Sequence, residues 1–272
     1  MFELHDSRSL ESESSDDVTD RVSKNSAYEE KVSIMVKCGF ALWTFIAEVL
    51  LFGVLGLCLF WIFYYGGGVT WTNDVTKQFN LHYVLMIGGF IFFNGQAILA
   101  YRCLSCYKKI YTKVIHTSFF VFGMSSITVG LVSAIQGHNG AQDPKHFYSL
   151  HSWIGLATIG MFALQFLVGF MSFLVFLCCD NATVKLRQRL LPTHITFGLI
   201  IFGMAIATCL TGLMQTARHM LSGTIDKQNY EDLPEQTLVI NILAVSLLAL
   251  GIVIIYLVRN NSFKRSATLI IN

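Results

Sequence analysis

Tyr148-Ser149-Leu150-His151-Ser152-Trp153-Ile154-Gly155 opens an apolar run that continues to about Leu177. It sets an imidazole in the first turn of a helix long enough to cross a bilayer. Three more histidines stand at the start of their own apolar segments: His82 after Asn80-Leu81, His116 after Val114-Ile115, and His194 after Pro192-Thr193. An ionisable side chain in a membrane segment costs a few kcal/mol, roughly 2.5–3.5 at the centre for the charged residues, so it marks function by default. Four of them, one per helix, need a shared explanation.

Composition fits that setting. Hydrophobic residues make up 54% of the 272 and charged residues 13%, about half the charge of an average soluble domain. A net charge of +2 gives no case for nucleic acid. The cysteines number seven, an odd count, and most lie in or beside apolar runs, which argues against a disulfide framework. Cys103 and Cys106 have a redox or zinc spacing but no second pair, and read as thiols beside the membrane.

Six apolar segments, at about 38–65, 81–101, 114–136, 151–178, 193–214 and 237–258, each reach the roughly 20 residues a membrane helix requires. The expected fold is therefore an all-α integral membrane protein of six transmembrane helices, a membrane domain over 38–258. Residues 1–30, rich in Ser, Asp and Glu, read as a disordered cytosolic tail, and 259–272 as a short one. No basic n-region precedes an apolar core, so no cleavable signal peptide is expected. With the N-terminus cytosolic, 15 of the 19 Lys and Arg residues fall on the cytosolic side, leaving Lys77, Lys145, Arg218 and Lys227 on the other. That asymmetry places both termini in the cytosol. The sequon Asn181-Ala182-Thr183 then faces the cytosol and goes unused.

Topology sorts the histidines by depth. His82 and His151 share the non-cytosolic level, and His116 and His194 the cytosolic one. Leu-His recurs at 81–82 and 150–151, each followed one helix later by a second histidine, as in a weak duplication of a two-helix unit. Two imidazoles from facing helices are the axial ligation of a low-spin b-type haem, and bundle cores are where such cofactors sit. A haem near each face divides the bilayer into short electron-transfer steps. The competing class is a haem-free transporter or metal-handling protein using the histidines directly. Such proteins usually bring intramembrane carboxylates or broken helices. Here Glu48 is the one acidic residue well inside a segment, without an assigned role, and Pro144, Pro192 and Pro234 fall at segment ends or in loops.

Phe79-Asn80-Leu81-His82, Ile98-Leu99-Ala100-Tyr101-Arg102, Tyr148 through Gly155, and Leu191-Pro192-Thr193-His194 occur in this order. With them the chain resembles the cytochrome b561 family of ascorbate-dependent transmembrane reductases over about Phe79–Thr216. The resemblance implies a central four-helix bundle (about 79–216) holding two haems b, cytosolic ascorbate as donor, and a homodimer. It also implies monodehydroascorbate or ferric iron as acceptor on the lumenal or extracellular side. The membrane would be that of an endomembrane vesicle or lysosome, or the plasma membrane. Carried over position by position, His82, His151, His116 and His194 match the axial ligands of haem iron. Arg102, Lys109, Lys113 and Arg187 match basic positions around the cytosolic haem edge and ascorbate. His138 and Asn139, with Tyr148, match the far-side acceptor pocket. His146 and His219 read as ordinary solvated histidines, although the segment His146 to Ser149 is placed where it could touch the outer haem.

Three positions depart from the family. Tyr83 stands where many members have Pro, Phe120 where some have another histidine, and Gln215 where Glu is common beside the outer haem. Loss of that negative charge is expected to make the outer haem easier to reduce.

Overall fold

A computed structural model describes residues 15–104, 107–141, 143–175, 180–220 and 233–263. The expected tail residues 1–14 and 264–272, and Cys106, lie outside them. The described chain is helical through its apolar segments, apart from the end of the fourth. α1 spans Ser15–Phe60, α2 Val75–Met86, α3 Asn94–Cys103, α4 Lys109–Asn139, α5 Leu150–Phe173, α6 Asp180–Met220 and α7 Glu235–Arg259. Wider π turns occupy Trp61–Tyr65 and Ile87–Phe93. The second of these joins α2 to α3 as one rod, Val75–Cys103. Six helices are long and apolar enough to cross a membrane.

The chain divides into two compact units, Met1–Leu42 and Trp43–Asn272, with the division inside α1. Residues 15–30 are helical, where composition predicts disorder. Asp16, Asp17 and Asp20 sit near the helix N-terminus, where negative charge is favoured. Adding turns to an existing helix also needs no new nucleus.

The same extension moves three of the four histidines away from helix starts. His82 and His116 are the eighth residues of α2 and α4, and His194 the fifteenth of α6. Only His151 remains in a first turn. Polar turns outside the hydrocarbon continue each helix beyond its apolar stretch, so apolar boundaries underestimate helix length. Pro192, expected at a segment end, lies inside α6. The fourth helix, expected to reach 178, ends at Phe173.

In the second unit, the rod of α2 and α3 packs against α4, and α5 against α6. Contacts of α4 with α5, and of α6 with Ile87–Phe93, join the two pairs into a four-helix bundle. At mid-rod the backbones nearly touch. A Cβ on Gly89 would lie 2.9 Å from Ile127 and 3.0 Å from the Gly123 oxygen, so only glycine permits that approach.

α1 and α7 present buried stripes of regular spacing. Ala47, Leu51, Val54, Cys58 and Trp61 line one, and Ile240, Leu243, Leu247, Leu250, Ile254 and Leu257 the other. Alternating steps of three and four residues keep each stripe on one helix face. Between apolar helices in lipid the gain is close packing rather than exclusion of water. Polar ties add to it: Tyr65 Oη donates to Glu235 Oε2 (3.2 Å). Gln96 Nε2 donates to Glu48 Oε2 (2.5 Å), which gives the one deep carboxylate a partner.

Candidate haem and substrate sites

His151 is fixed by its own helix start. Ser149 caps α5, its hydroxyl accepting from the Ser152 amide at 3.3 Å. Across the bundle, the His151 ring centroid lies 6.2 Å from that of His82. His116 and His194 face each other in the same way at 6.4 Å. The four histidines thus form two pairs, each drawing one ring from the α2–α4 half and one from the α5–α6 half.

Those distances suit one metal ion between each pair of rings. Two imidazole–metal bonds of about 2.0–2.1 Å, with ring radii of roughly 1.1 Å, put the centroids about 6.3 Å apart. Ligation through Nε2 also needs the other ring nitrogen held by a partner, which fixes tautomer and orientation. His82 Nδ1 lies 2.9 Å from the Gly130 oxygen, His116 Nδ1 2.7 Å from that of Ala97, and His151 Nδ1 3.0 Å from that of Thr208. A carbonyl can only accept, so in these three rings Nδ1 carries the proton and Nε2 is left as the ligand. His194 Nδ1 instead meets a side chain, Gln165, at 2.9 Å.

The partners follow a rule. Gly130 stands fourteen residues after His116 and holds His82; Thr208 stands fourteen after His194 and holds His151. Gln165 stands fourteen after His151 and holds His194. Fourteen residues are just under four turns, so both groups face the same side of a helix about 21 Å apart. Ala97, which holds His116, stands fifteen after His82. That interval contains the π turns at Ile87–Phe93, whose slower winding absorbs the additional residue.

Glycines complete the seats. A Cβ on Gly212 would lie 2.8 Å from His151 Cε1, and one on Gly169 2.7 Å from His194 Cε1. Between the two levels, Phe120 packs on His116 (4.7 Å), Phe162 on Phe120 (5.5 Å) and Phe90 on Phe162 (5.4 Å). Phe120, one of the departures from the family, therefore fills space beside the His116 ring.

A cavity of about 970 Å³ contains His82 and His151 and opens past His138, His146, Tyr148 and Gln215. It stands at the upper end of the roughly 300–1,000 Å³ usual for ligand pockets, with room for a flat macrocycle. At its mouth His138 packs edge-on against Phe79 (4.9 Å), His146 (5.6 Å) and Tyr148 (6.4 Å). His146 Nε2 donates to Asn139 Oδ1 at 3.0 Å. Gln215 Nε2 donates to Tyr148 Oη at 3.4 Å. His146 thus joins His138, Asn139 and Tyr148, although its position in the sequence reads as ordinary loop. Phe147, between His146 and Tyr148, has φ of 51°, a strained conformation for a bulky residue. Its neighbours His146 and Tyr148 both line the cavity. Tyr83 stacks on Trp61 (5.7 Å) and accepts from Thr216 Oγ1 (3.0 Å), bracing the turn that carries His82.

The basic residues of the other end divide. Lys113 stands three residues before His116 and is half-buried; Arg187 stands seven before His194 and is buried. Lys109 is exposed at the first residue of α4. Arg102 points elsewhere: its guanidinium donates to the Phe263 oxygen (2.9 Å) and to that of Val258. Val258 lies in the last turn of α7 and Phe263 in the short turn Asn261–Phe263 that follows it, so Arg102 ties down the C-terminal end of α7. Both motifs that place Arg102 and His116 are local, and only the fold shows that their side chains diverge.

The profile of eukaryotic cytochrome b561 matches residues 81–219, the interval containing all four paired histidines. A lysosomal membrane ascorbate-dependent ferrireductase of Homo sapiens is 32% identical over 228 residues, covering 81% of this chain and 91% of that protein. A plasma membrane ascorbate-dependent reductase of Xenopus laevis is 33% identical over 225 residues (81% and 76%). A transmembrane ascorbate-dependent reductase of Ovis aries is 35% identical over 205 (75% and 77%). The profile match and these similarities, each over three quarters or more of both chains, agree with the paired imidazoles: the chain belongs to the eukaryotic cytochrome b561 family.

Proposed function

We propose that the chain is a transmembrane ascorbate-dependent reductase, carrying electrons from cytosolic ascorbate to an acceptor on the other side. The observation that carries this reading is the pair of imidazole couples, 6.2 and 6.4 Å between centroids, on a common rule of spacing. His82 and His151 would hold one b-type haem and His116 and His194 another, and each would supply one-electron redox chemistry within the bilayer. The protein's part is to fix four rings, exclude water and set charge near each centre.

The surplus of Lys and Arg supports a cytosolic location for both termini and for the His116–His194 end. Ascorbate is an anion there, and Lys113 and Arg187, with Lys109 at the rim, raise its local concentration. At the far end His138, His146, Asn139 and Tyr148 form the acceptor pocket. Monodehydroascorbate and ferric iron are the two acceptors the family supports. The relatives' names support the lysosome or the plasma membrane as the site. The family resemblance also supports a homodimer. A haem-free metal site would need several donors together, and among the described residues no group of three or more His, Cys, Asp or Glu could hold a metal ion.

Liposomes loaded with ascorbate test the proposal. The purified protein should reduce external ferric chelate or monodehydroascorbate, with ascorbate required inside. Equal rates from empty liposomes would contradict it.

A further inference from the structure

Gln165 differs from the other three groups that hold the paired histidines. Those three are backbone carbonyls, fixed in place and able only to accept. Gln165 is a side-chain amide, with a donor end and an acceptor end. As placed, its Nε2 lies 2.9 Å from His194 Nδ1 and 2.6 Å from the His194 carbonyl oxygen. With the donor end toward Nδ1, the imidazole proton belongs on Nε2, which cannot then bind a metal. Freeing the imidazole Nε2 as ligand needs Oε1 to face Nδ1–H instead, which takes both rotation of the amide about its last bond and its withdrawal from the His194 carbonyl oxygen, an acceptor that only the donor end can approach at 2.6 Å. The residue sits fourteen positions after His151, where the other helices offer main chain. Nearby Gly169 and Gly198 leave the amide and ring their room: a Cβ on Gly198 would stand 3.6 Å from Gln165 Nε2.

We infer that Gln165 is a positioning residue that orients His194 by presenting its amide oxygen to Nδ1 and so tunes the His116–His194 centre separately from the His82–His151 centre. The inference rests on the proposed haem ligation. Outer partners of metal-ligating histidines typically matter by about 10- to 100-fold. A stronger acceptor makes the imidazole a better donor to ferric iron, and loss of the acceptor does the reverse. The two centres lie about 21 Å apart along the helices, so the effect belongs to one of them.

Redox titration and low-spin EPR of the haem-loaded protein test this with Gln165→Glu and Gln165→Leu. Gln165→Glu should lower the potential of the His116–His194 centre by about tenfold in its one-electron equilibrium, about 59 mV. Gln165→Leu should raise that potential or empty that site alone, with Gln165→Glu restoring occupancy. The EPR signal of the same centre should move, and the other centre should keep its potential. Unchanged potential and EPR signal in both variants would overturn the inference, as would equal shifts at both centres. Wild-type protein without haem would instead overturn the functional reading on which this rests.

Discussion

The carbonyl oxygen of Gly130 lies 2.9 Å from His82 Nδ1, and Gly130 belongs to the helix that carries His116 fourteen residues earlier. A helix that supplies a paired histidine at one level therefore supplies the brace for its neighbour's histidine at the other. The reciprocity ties the two levels together through rods of fixed rise, so their separation is a property of helix geometry.

The π turns at Ile87–Phe93 take up one residue beyond the fourteen-residue rule. Deleting Gly88, where a Cβ would meet nothing within 4 Å, should let the rod wind as regular α-helix. The Ala97 carbonyl then stays opposite His116, and both haems are retained. Inserting an alanine after Gly88 should swing Ala97 away by about 100°, one α-helical residue, and lower haem content. Haem per chain, by pyridine haemochrome, compares the two. Loss on deletion with tolerance of the insertion would contradict the rule.

Gly212 and Gly169 seat the rings of His151 and His194. Gly212→Ala should destabilise the His82–His151 site, and Gly169→Ala the His116–His194 site, each by about 1–3 kcal/mol of overpacking. Partial haem loss at one centre, resolved by redox titration, is the expected result. Equal loss at both centres would mean a general packing defect.

Lys113→Ala and Arg187→Ala should each raise the KM for ascorbate about fivefold, near 1 kcal/mol per membrane-proximal cation, and weaken its salt dependence. Arg102→Ala should leave KM near wild type and lower thermal stability, by about 1.5–3 kcal/mol per lost charged hydrogen bond. A KM effect from Arg102→Ala as large as that of Lys113→Ala would return Arg102 to the donor pocket.

His146 contacts Asn139 and His138 in the proposed acceptor pocket. His146→Ala and His138→Ala should slow oxidation of the reduced protein by acceptor and leave its reduction by ascorbate unchanged. Stopped-flow absorbance separates these half-reactions. A selective loss in the ascorbate half-reaction would contradict the placement.

Much of this arrangement could be read in advance. Six apolar runs set the helix number, and depth alone pairs His82 with His151 and His116 with His194. Other features depend on three-dimensional register. Helix starts at Val75, Lys109 and Asp180 lie outside the apolar runs, so hydropathy cannot find them. Gln165 looks like one polar residue in an apolar helix until His194 comes beside it. The hydrogen bond of His146 with Asn139 joins a loop to the end of α4, and the turn of Arg102 toward α7 links residues 161 and 156 positions apart.

The visible spectrum of the purified protein, with haem counted per chain before and after ascorbate, tests the central claim most directly. Two b-type haems per chain, six-coordinate and reduced by ascorbate, are the predicted result. A protein that stays colourless when haem is supplied during expression would contradict it.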